Sequence, residues 1–279
     1  MLKNIVIGVD GSEGAALALR WGVEEAALHG TRATALLAWS LLDQYHADLG
    51  FDFQPSYGED DAEKALVSRV RDTLGSDEAL DLEVVCDRPA HALLERSEHA
   101  DLVVVGARGT GGFEGLLVGS VADRLTERAN GPVAVVRAAA PCRGGRVVVG
   151  VDGSARSHKA LRWAADEARA RDAVLDVVHA WSLPALANDP WLATFPNPDD
   201  AVHWARDLLV EALSDPALAG LAVNDFVIHG GAGQALLARA EGAGLVVVGS
   251  RGHGAVAGWL LGSVSRQLVH HASCPVVVV

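Results

Sequence analysis

The distinctive stretches of this chain occur twice, 142 to 143 residues apart, and that repetition restricts the folds open to it. Ile5 to Ser12 reads IVIGVDGS, and Val147 to Ser154 reads VVVGVDGS. Gly106 to Ser120, GARGTGGFEGLLVGS, and Gly249 to Ser263, GSRGHGAVAGWLLGS, share the spacing Gly-x2-Gly-x9-Gly-Ser. Trp21 returns as Trp163, Ala38-Trp39-Ser40 as Ala180-Trp181-Ser182, and Pro132-Val133 as Pro275-Val276. So long a period means a duplicated domain and not a solenoid, and 279 residues are enough for two separate cores. The expected division is a first domain over 1–138, a linker over 139–145 rich in small residues with Pro and Gly, and a second domain over 146–279.

Within each half, apolar runs alternate with helical patterns. In the first half strands are expected near Asn4–Val9, Thr31–Ala38, Leu82–Val85, Leu102–Gly106 and Pro132–Arg137, with helices near Glu13–His29, Glu59–Leu74, Ala90–Glu98 and Ser120–Asn130. In the second half strands are expected near Val147–Val151, Val174–Ala180, Ala222–Ile228, Leu245–Gly249 and Pro275–Val279. Runs such as VVVG lack polar alternation and read as parallel strands covered on both faces. The fold class is therefore α/β: two repeated doubly wound domains, each a five-stranded parallel sheet of order 3-2-1-4-5 flanked by helices. Strands 1 and 4 meet at the switch point of that order, where open α/β sheets bind their ligands. The two motifs of each half, GVDGS and the glycine loop, directly follow those two strands and so line one crevice.

The glycine loop is suited to an anion. Glycines let the backbone approach a phosphate, and the helix that follows presents unpaired N–H groups at its positive dipole end. Arg108 and Arg251 add a fixed charge inside the loops, beside Gly111 and Gly254. Neither loop ends in Gly-Lys-Ser/Thr, and neither has the spacing of the dinucleotide fingerprint. Asp10 and Asp152, at the ends of the first strands, can accept from a base amino group or a ribose hydroxyl. The same Asp-Gly-Ser is also good turn chemistry, with Ser12 and Ser154 as helix N-caps. Trp39 and Trp181 can wall the crevice or belong to the core.

Composition closes off other classes. The net charge of −13 speaks against a nucleic-acid or anionic-membrane surface. Residues 1–138 hold 12 basic and 23 acidic side chains, and residues 139–279 hold 11 and 13. Seven of the acids lie between Asp43 and Glu63, in a stretch that reads as a loop at the crevice mouth. Cys86, Cys142 and Cys274 are scattered, outside any metal-ligand spacing, as in a reducing compartment. No signal peptide is visible and no apolar run reaches the ~18 residues of a membrane span, so a cytoplasmic location is expected.

Taken together, GVDGS, the glycine loop in both halves, Ser263-Val264-Ser265 and the closing Cys274-Pro275-Val276-Val277-Val278 resemble the universal stress protein family in its tandem two-domain form. The resemblance covers nearly the whole chain. It implies an adenine nucleotide alpha hydrolase-like fold with ATP bound in each domain. Asp10 with Ala38 and Gly8, and Asp152 with Ala180 and Gly150, then hold the adenine end. Gly106 and Gly109, and Gly249 and Gly252, lie by the ribose and phosphates. Gly119, Ser120 and Val121, and Gly262, Ser263 and Val264, close on the phosphates. The first copy has Ala107, Thr110, Ala122 and Asp87 where the second has Ser250, His253, Ser265 and Gly230, which makes the second the stronger expected site.

The resulting expectation is a nucleotide-dependent sensor or regulator in a stress response, with Mg2+ carried by the phosphates, an unknown protein partner, and no nucleic acid or membrane. Two rival readings are a slow ATP hydrolase or phosphotransferase, and a structural assembly module with vestigial sites. No side chain is assigned a catalytic or resident-metal role: His253 has no counterpart in the first loop, and His270-His271 point to different faces of a helix. The last strands, at the expected sheet edges, are apolar and invite pairing, and the family implies association through them; a homodimer is expected.

Overall fold

The computed structural model describes residues 1–40, 58–111, 117–140, 144–182, 198–252 and 261–279. The chain divides into two compact units, Met1–Ala139 and Ala140–Val279. Unit 1 runs β1 (Ile5–Gly8), α1 (Glu13–His29), β2 (Ala33–Trp39), α2 (Glu59–Leu74), β3 (Leu80–Cys86), α3 (Pro89–Arg96), β4 (Leu102–Gly106), α4 (Ser120–Arg128) and β5 (Val133–Val136). Unit 2 runs β6 (Arg146–Gly150), α5 (Ala155–Arg171), β7 (Val174–Trp181), α6 (Pro198–Leu213), β8 (Val223–His229), α7 (Ala232–Ala240), β9 (Leu245–Val248), α8 (Ser263–His271) and β10 (Val276–Val278), with a short 3-10 turn at Pro216–Leu218.

Every strand pair within a unit is parallel. The orders are β3-β2-β1-β4-β5 and β8-β7-β6-β9-β10, the 3-2-1-4-5 winding in each case. The central strands are apolar without alternation because helices cover both faces: Ile5 and Ile7 of β1, and Val147, Val148 and Val149 of β6, are 0 % exposed. β3 and β8, at the other end of the order, carry Asp81 and Glu83, and Asn224 and Asp225, on residues that are exposed or half-buried. That mixed pattern makes β3 two residues longer at its start than its apolar stretch, Leu82–Val85, suggested.

The helix ends follow local chemistry. Ser12 and Ser154 cap α1 and α5, each hydroxyl accepting from the N–H three residues on, Ala15 at 3.1 Å and Ser157 at 3.1 Å. α1 closes at Gly30 in the left-handed region (φ 67°), and α5 closes the same way at Asp172 (φ 52°).

The two units solve one packing problem differently. A Cβ on Gly22 of α1 would sit 2.5 Å from Ile7 Cδ1 of β1, so the helix seats closely on the strand because the glycine is there. The same places in unit 2 hold Ala164 and Val149, both 0 % exposed. Volume removed from the strand is returned on the helix.

Candidate functional site

The Asp-Gly-Ser turn and the glycine loop of unit 1 are joined by two side chains, Asp10 and Ser12, whose hydroxyl donates to Arg108 O at 3.2 Å. Val9 N donates to Leu36 O at 2.9 Å, which carries the chain past β1 and leaves Asp10 beyond the sheet edge, near Ala38 at the end of β2. Gly11, at φ 89°, turns the chain back. Asp10 Oδ1 accepts from Ser12 N at 2.9 Å, and Oδ2 accepts from Thr110 N in the glycine loop at 3.0 Å. A Cβ on Gly109 would collide with the same carboxylate oxygen. The second loop repeats this: Asp152 Oδ1 accepts from Ser154 N at 3.0 Å, and a Cβ on Gly252 would collide with Asp152 Oδ2. Gly109 and Gly252 are thus required by an aspartate as well as by any ligand.

Each loop closes on itself. Gly119 N donates to Ala107 O at 2.7 Å and Gly262 N to Ser250 O at 2.8 Å, so the Gly-Ser end is drawn back over the loop's beginning. A Cβ on Gly119 would lie 3.4 Å from Gly109 N, and one on Gly262 would lie 3.4 Å from Arg251 Cα. Gly106 and Gly249 lie against the start of the first helix of their units: a Cβ would strike the Gly14 backbone in one and reach 3.1 Å from Arg156 in the other. Gly8 and Gly150 sit under a leucine, with 3.0 Å from a built Cβ to Leu93 and 2.8 Å to Leu236.

Unit 2 shows the whole assembly as one cleft. Gly150, Asp152, Ala180, Gly249, Arg251, Gly252, Gly262, Ser263 and Val264 all line it. Gly254 and His253 lie outside the described residues. The cleft is also lined by Ser265 and by Ser157, Ala232 and Leu236, the last three of which sequence reasoning did not single out as contacts. Ser157 has a legible signal, three residues after the cap serine: its hydroxyl accepts from Asp152 N at 3.3 Å and donates to Ser154 O at 2.9 Å. Ala232 and Leu236 come from α7, which follows β8 and carries no polar motif. Ser265, one of the residues expected to make the second site the stronger, donates its hydroxyl to Gly249 O at 2.7 Å and braces the loop. Trp181 is half-buried and lies against His229, ring centroids 4.6 Å apart and planes tilted by 48°; Trp39 is likewise half-buried.

What the cleft can hold follows from its ends. The helices after the glycine loops, α4 and α8, have glycine N-caps and no side-chain cap hydrogen bond, in contrast to the serine-capped α1 and α5. The N–H groups of Ser120 and Val121, and of Ser263 and Val264, therefore form an uncapped positive end at the crevice. A phosphate oxygen is the chemistry such an end accepts. In unit 1, Arg108 and Gly111 are exposed on the loop, and Arg137 Nη2 donates to Leu117 O at 2.6 Å just before Val118 and Gly119. Burial, and then the Arg108 guanidinium nearby, hold the Arg137 pKa below the usual arginine range, so two like charges gather at this loop. The apolar lining Ala180, Val178 and Leu236, with the Asp152 carboxylate, suits a flat base with an amino edge. The residues present fit an adenine nucleotide.

Fold and site define a class: two doubly wound α/β domains, each with an Asp-Gly-Ser turn and a glycine loop at its switch point, β1–β4 in unit 1 and β6–β9 in unit 2. The model of the universal stress protein family matches residues 1–137 and again 145–279. A universal stress protein of Mycobacterium tuberculosis H37Rv is 33 % identical over 294 residues, covering 99 % of this chain and 96 % of that protein. One from Mycolicibacterium smegmatis is 32 % identical over 291 residues, with 99 % and 96 % covered. The crystal structure of a universal stress protein from Archaeoglobus fulgidus superposes with a TM-score of 0.66 at 19 % identity over 99 % of this chain and 97 % of that one, a likeness of fold. The chain belongs to the universal stress protein family, in tandem form. No helix among the described residues is long and apolar enough to cross a membrane.

Proposed function

We propose that each unit binds one adenine nucleotide, ATP with Mg2+ on its phosphates, and that the protein acts in the cytoplasm as a nucleotide-dependent regulator in the stress response. The observation that carries this reading is the unit 2 cleft, where Asp152, the end of β7, the glycine loop and the uncapped start of α8 line one surface. Asp152 and Ala180 receive the base, and the N–H groups of Gly252, Ser263 and Val264 receive the phosphates. Binding replaces solvent at the α8 terminus with a ligand that bridges α8 to the Asp-Gly-Ser turn, so occupancy orders the loop surface that a partner protein reads. Asp152 is the one acid among the described cleft-lining residues, and one of its oxygens already accepts from Ser154 N. This reading gives that carboxylate to the base, with slow hydrolysis as the rival reading. The family resemblance adds a homodimer, checked by light scattering across a concentration series; a monomer throughout removes that part.

The direct test is denaturing release of whatever nucleotide co-purifies, followed by titration of the stripped protein with ATP. Adenine nucleotide in the released fraction, or saturable ATP binding after stripping, is expected. A chain that carries none and binds none leaves the loops as scaffolding.

A further inference from the structure

Unit 1 carries a cluster of side chains that unit 2 lacks. Asp87 follows β3, and His91 and Glu95 lie on α3 at successive four-residue steps, so the three share one stripe of surface. Their ligand-capable atoms lie within 4.8 Å of one another, and His91 Nδ1 is 2.5 Å from Asp87 Oδ2. His91 and Glu95 are exposed, while Ala90, Ala92 and Leu93 are the buried residues of this helix. The matching positions of unit 2 hold Gly230, Gln234 and Ala238, around a helix in the same place in the fold, so packing does not require the cluster. Of the two arginines beside the cluster, Arg96 is bonded to Glu83 of β3, its Nε 3.1 Å from Oε1, and Arg88 gives its backbone N–H to Asp87 Oδ1 at 2.6 Å, which leaves Oδ2 on the side of His91.

One imidazole nitrogen with two carboxylates is a donor set for a first-row divalent transition metal, whereas Mg2+ and Ca2+ favour oxygen alone. Metal–ligand bonds of about 2.0–2.2 Å bring ligand atoms to roughly 3–3.5 Å of each other. Rotation of the exposed Glu95 and His91 side chains sets the spacings to that range, the ion taking the place of the proton that His91 and Asp87 share at 2.5 Å. We propose that Asp87, His91 and Glu95 form a surface site for a divalent transition-metal ion such as Zn2+, with water completing its coordination. The site stands at the carboxyl end of the sheet, beside the first crevice, and uses none of the residues assigned to nucleotide. Metal binding there can be measured on nucleotide-free protein, apart from ATP binding.

The test is Zn2+ calorimetry on the full chain, stripped of nucleotide, with Co2+ absorption as a report of nitrogen ligation. The chain has 11 histidines, so the comparison is with His91→Gln and with the triple variant Asp87→Gly, His91→Gln, Glu95→Ala, which install the residues unit 2 already folds with. One Zn2+ equivalent should weaken about tenfold or more in His91→Gln and vanish in the triple variant, with circular dichroism unchanged and ATP binding no weaker than in the wild type. Superimposable isotherms for wild type and the triple variant overturn the proposal. A second readout needs no variant to fold: at one equivalent of Zn2+ the His91 imidazole signals of the wild type should move ahead of the other histidines, and an unmoved His91 overturns it equally.

Discussion

Asp172 is the one non-glycine residue with positive φ among the described residues, and it closes α5 where Gly30 closes α1. An aspartate there has a Cβ in the left-handed region and a negative charge at the negative end of a helix dipole. Asp172→Gly should raise the unfolding free energy by about 0.5–1 kcal/mol, measured by urea denaturation; a loss of stability contradicts the reading of the cap. The cysteines divide in the same local way. Burial pushes the Cys274 thiol up to about 12, whereas Cys86 is exposed at the end of β3. Iodoacetamide at pH 8 should alkylate Cys86 in the native protein and reach Cys274 only after denaturant is added, as read by peptide mass spectrometry. Cys142 lies outside the described residues. At this scale the sequence was legible where a residue acts on its chain neighbours: Ser12 and Ser154 cap as their Asp-Gly-Ser context indicates. It was less legible where a residue acts across the fold. The need for glycine at positions 109 and 252 comes partly from Asp10 and Asp152, about a hundred residues earlier, and the Ser265 hydroxyl is spent on Gly249 O.

Among the elements, the pairing of α1 with β1 gives the sharpest comparison, because the duplicated chain supplies its own control. Gly22→Ala alone forces a Cβ against Ile7, at a cost of about 1–3 kcal/mol set against a helix-propensity gain of about 1. Ile7→Val alone leaves a small void costing about 1 kcal/mol. The double variant reproduces the Val149–Ala164 pair of unit 2, and a double-mutant cycle should show favourable coupling of roughly 1–3 kcal/mol. Additive effects contradict the packing account. The turn after α6 supplies a pH dependence. The hydrogen bond from Ala217 N, followed by Arg162, holds the Asp215 carboxyl below its usual range against the opposing effect of burial. A carboxyl with a depressed folded-state pKa contributes stability above its unfolded value near 3.9, and that contribution is lost as pH falls through the folded value. Asp215→Ala should therefore be less stable than wild type at pH 7, with the gap closing toward pH 3; a gap that is constant with pH contradicts this. Elements were legible from the sequence where burial on both faces leaves a continuous apolar run, as in β4, β6 and β9. They were less so in β3, where the exposed Asp81 and the Arg96-paired Glu83 blur the run.

For the whole molecule, duplication was the most readable feature, since two copies of GVDGS and of the glycine loop fix the winding of each unit and the end of the sheet where the crevice lies. Contributions from α7, such as Ala232 and Leu236, were not readable, because small and aliphatic residues on a helix look like core until the fold aims them at a cleft. The copies have since diverged in charge, in the Asp87 cluster and in the brace at Ser265, while both keep an aspartate tied to the Asp-Gly-Ser turn and a glycine-capped helix. The claim that rests on this symmetry is one nucleotide crevice per unit. It is tested most directly by equilibrium dialysis with ATP on the wild type, on Gly109→Asp, on Gly252→Asp and on the double variant, each checked for native circular dichroism. An aspartate at either position faces both Asp10 or Asp152 and the incoming phosphates, so like charge excludes the ligand from that unit. The account predicts two ATP per chain, about one in either single variant and none in the double, with the site remaining in Gly109→Asp at least as tight as the one in Gly252→Asp. ATP binding that survives unchanged in the folded double variant would contradict it.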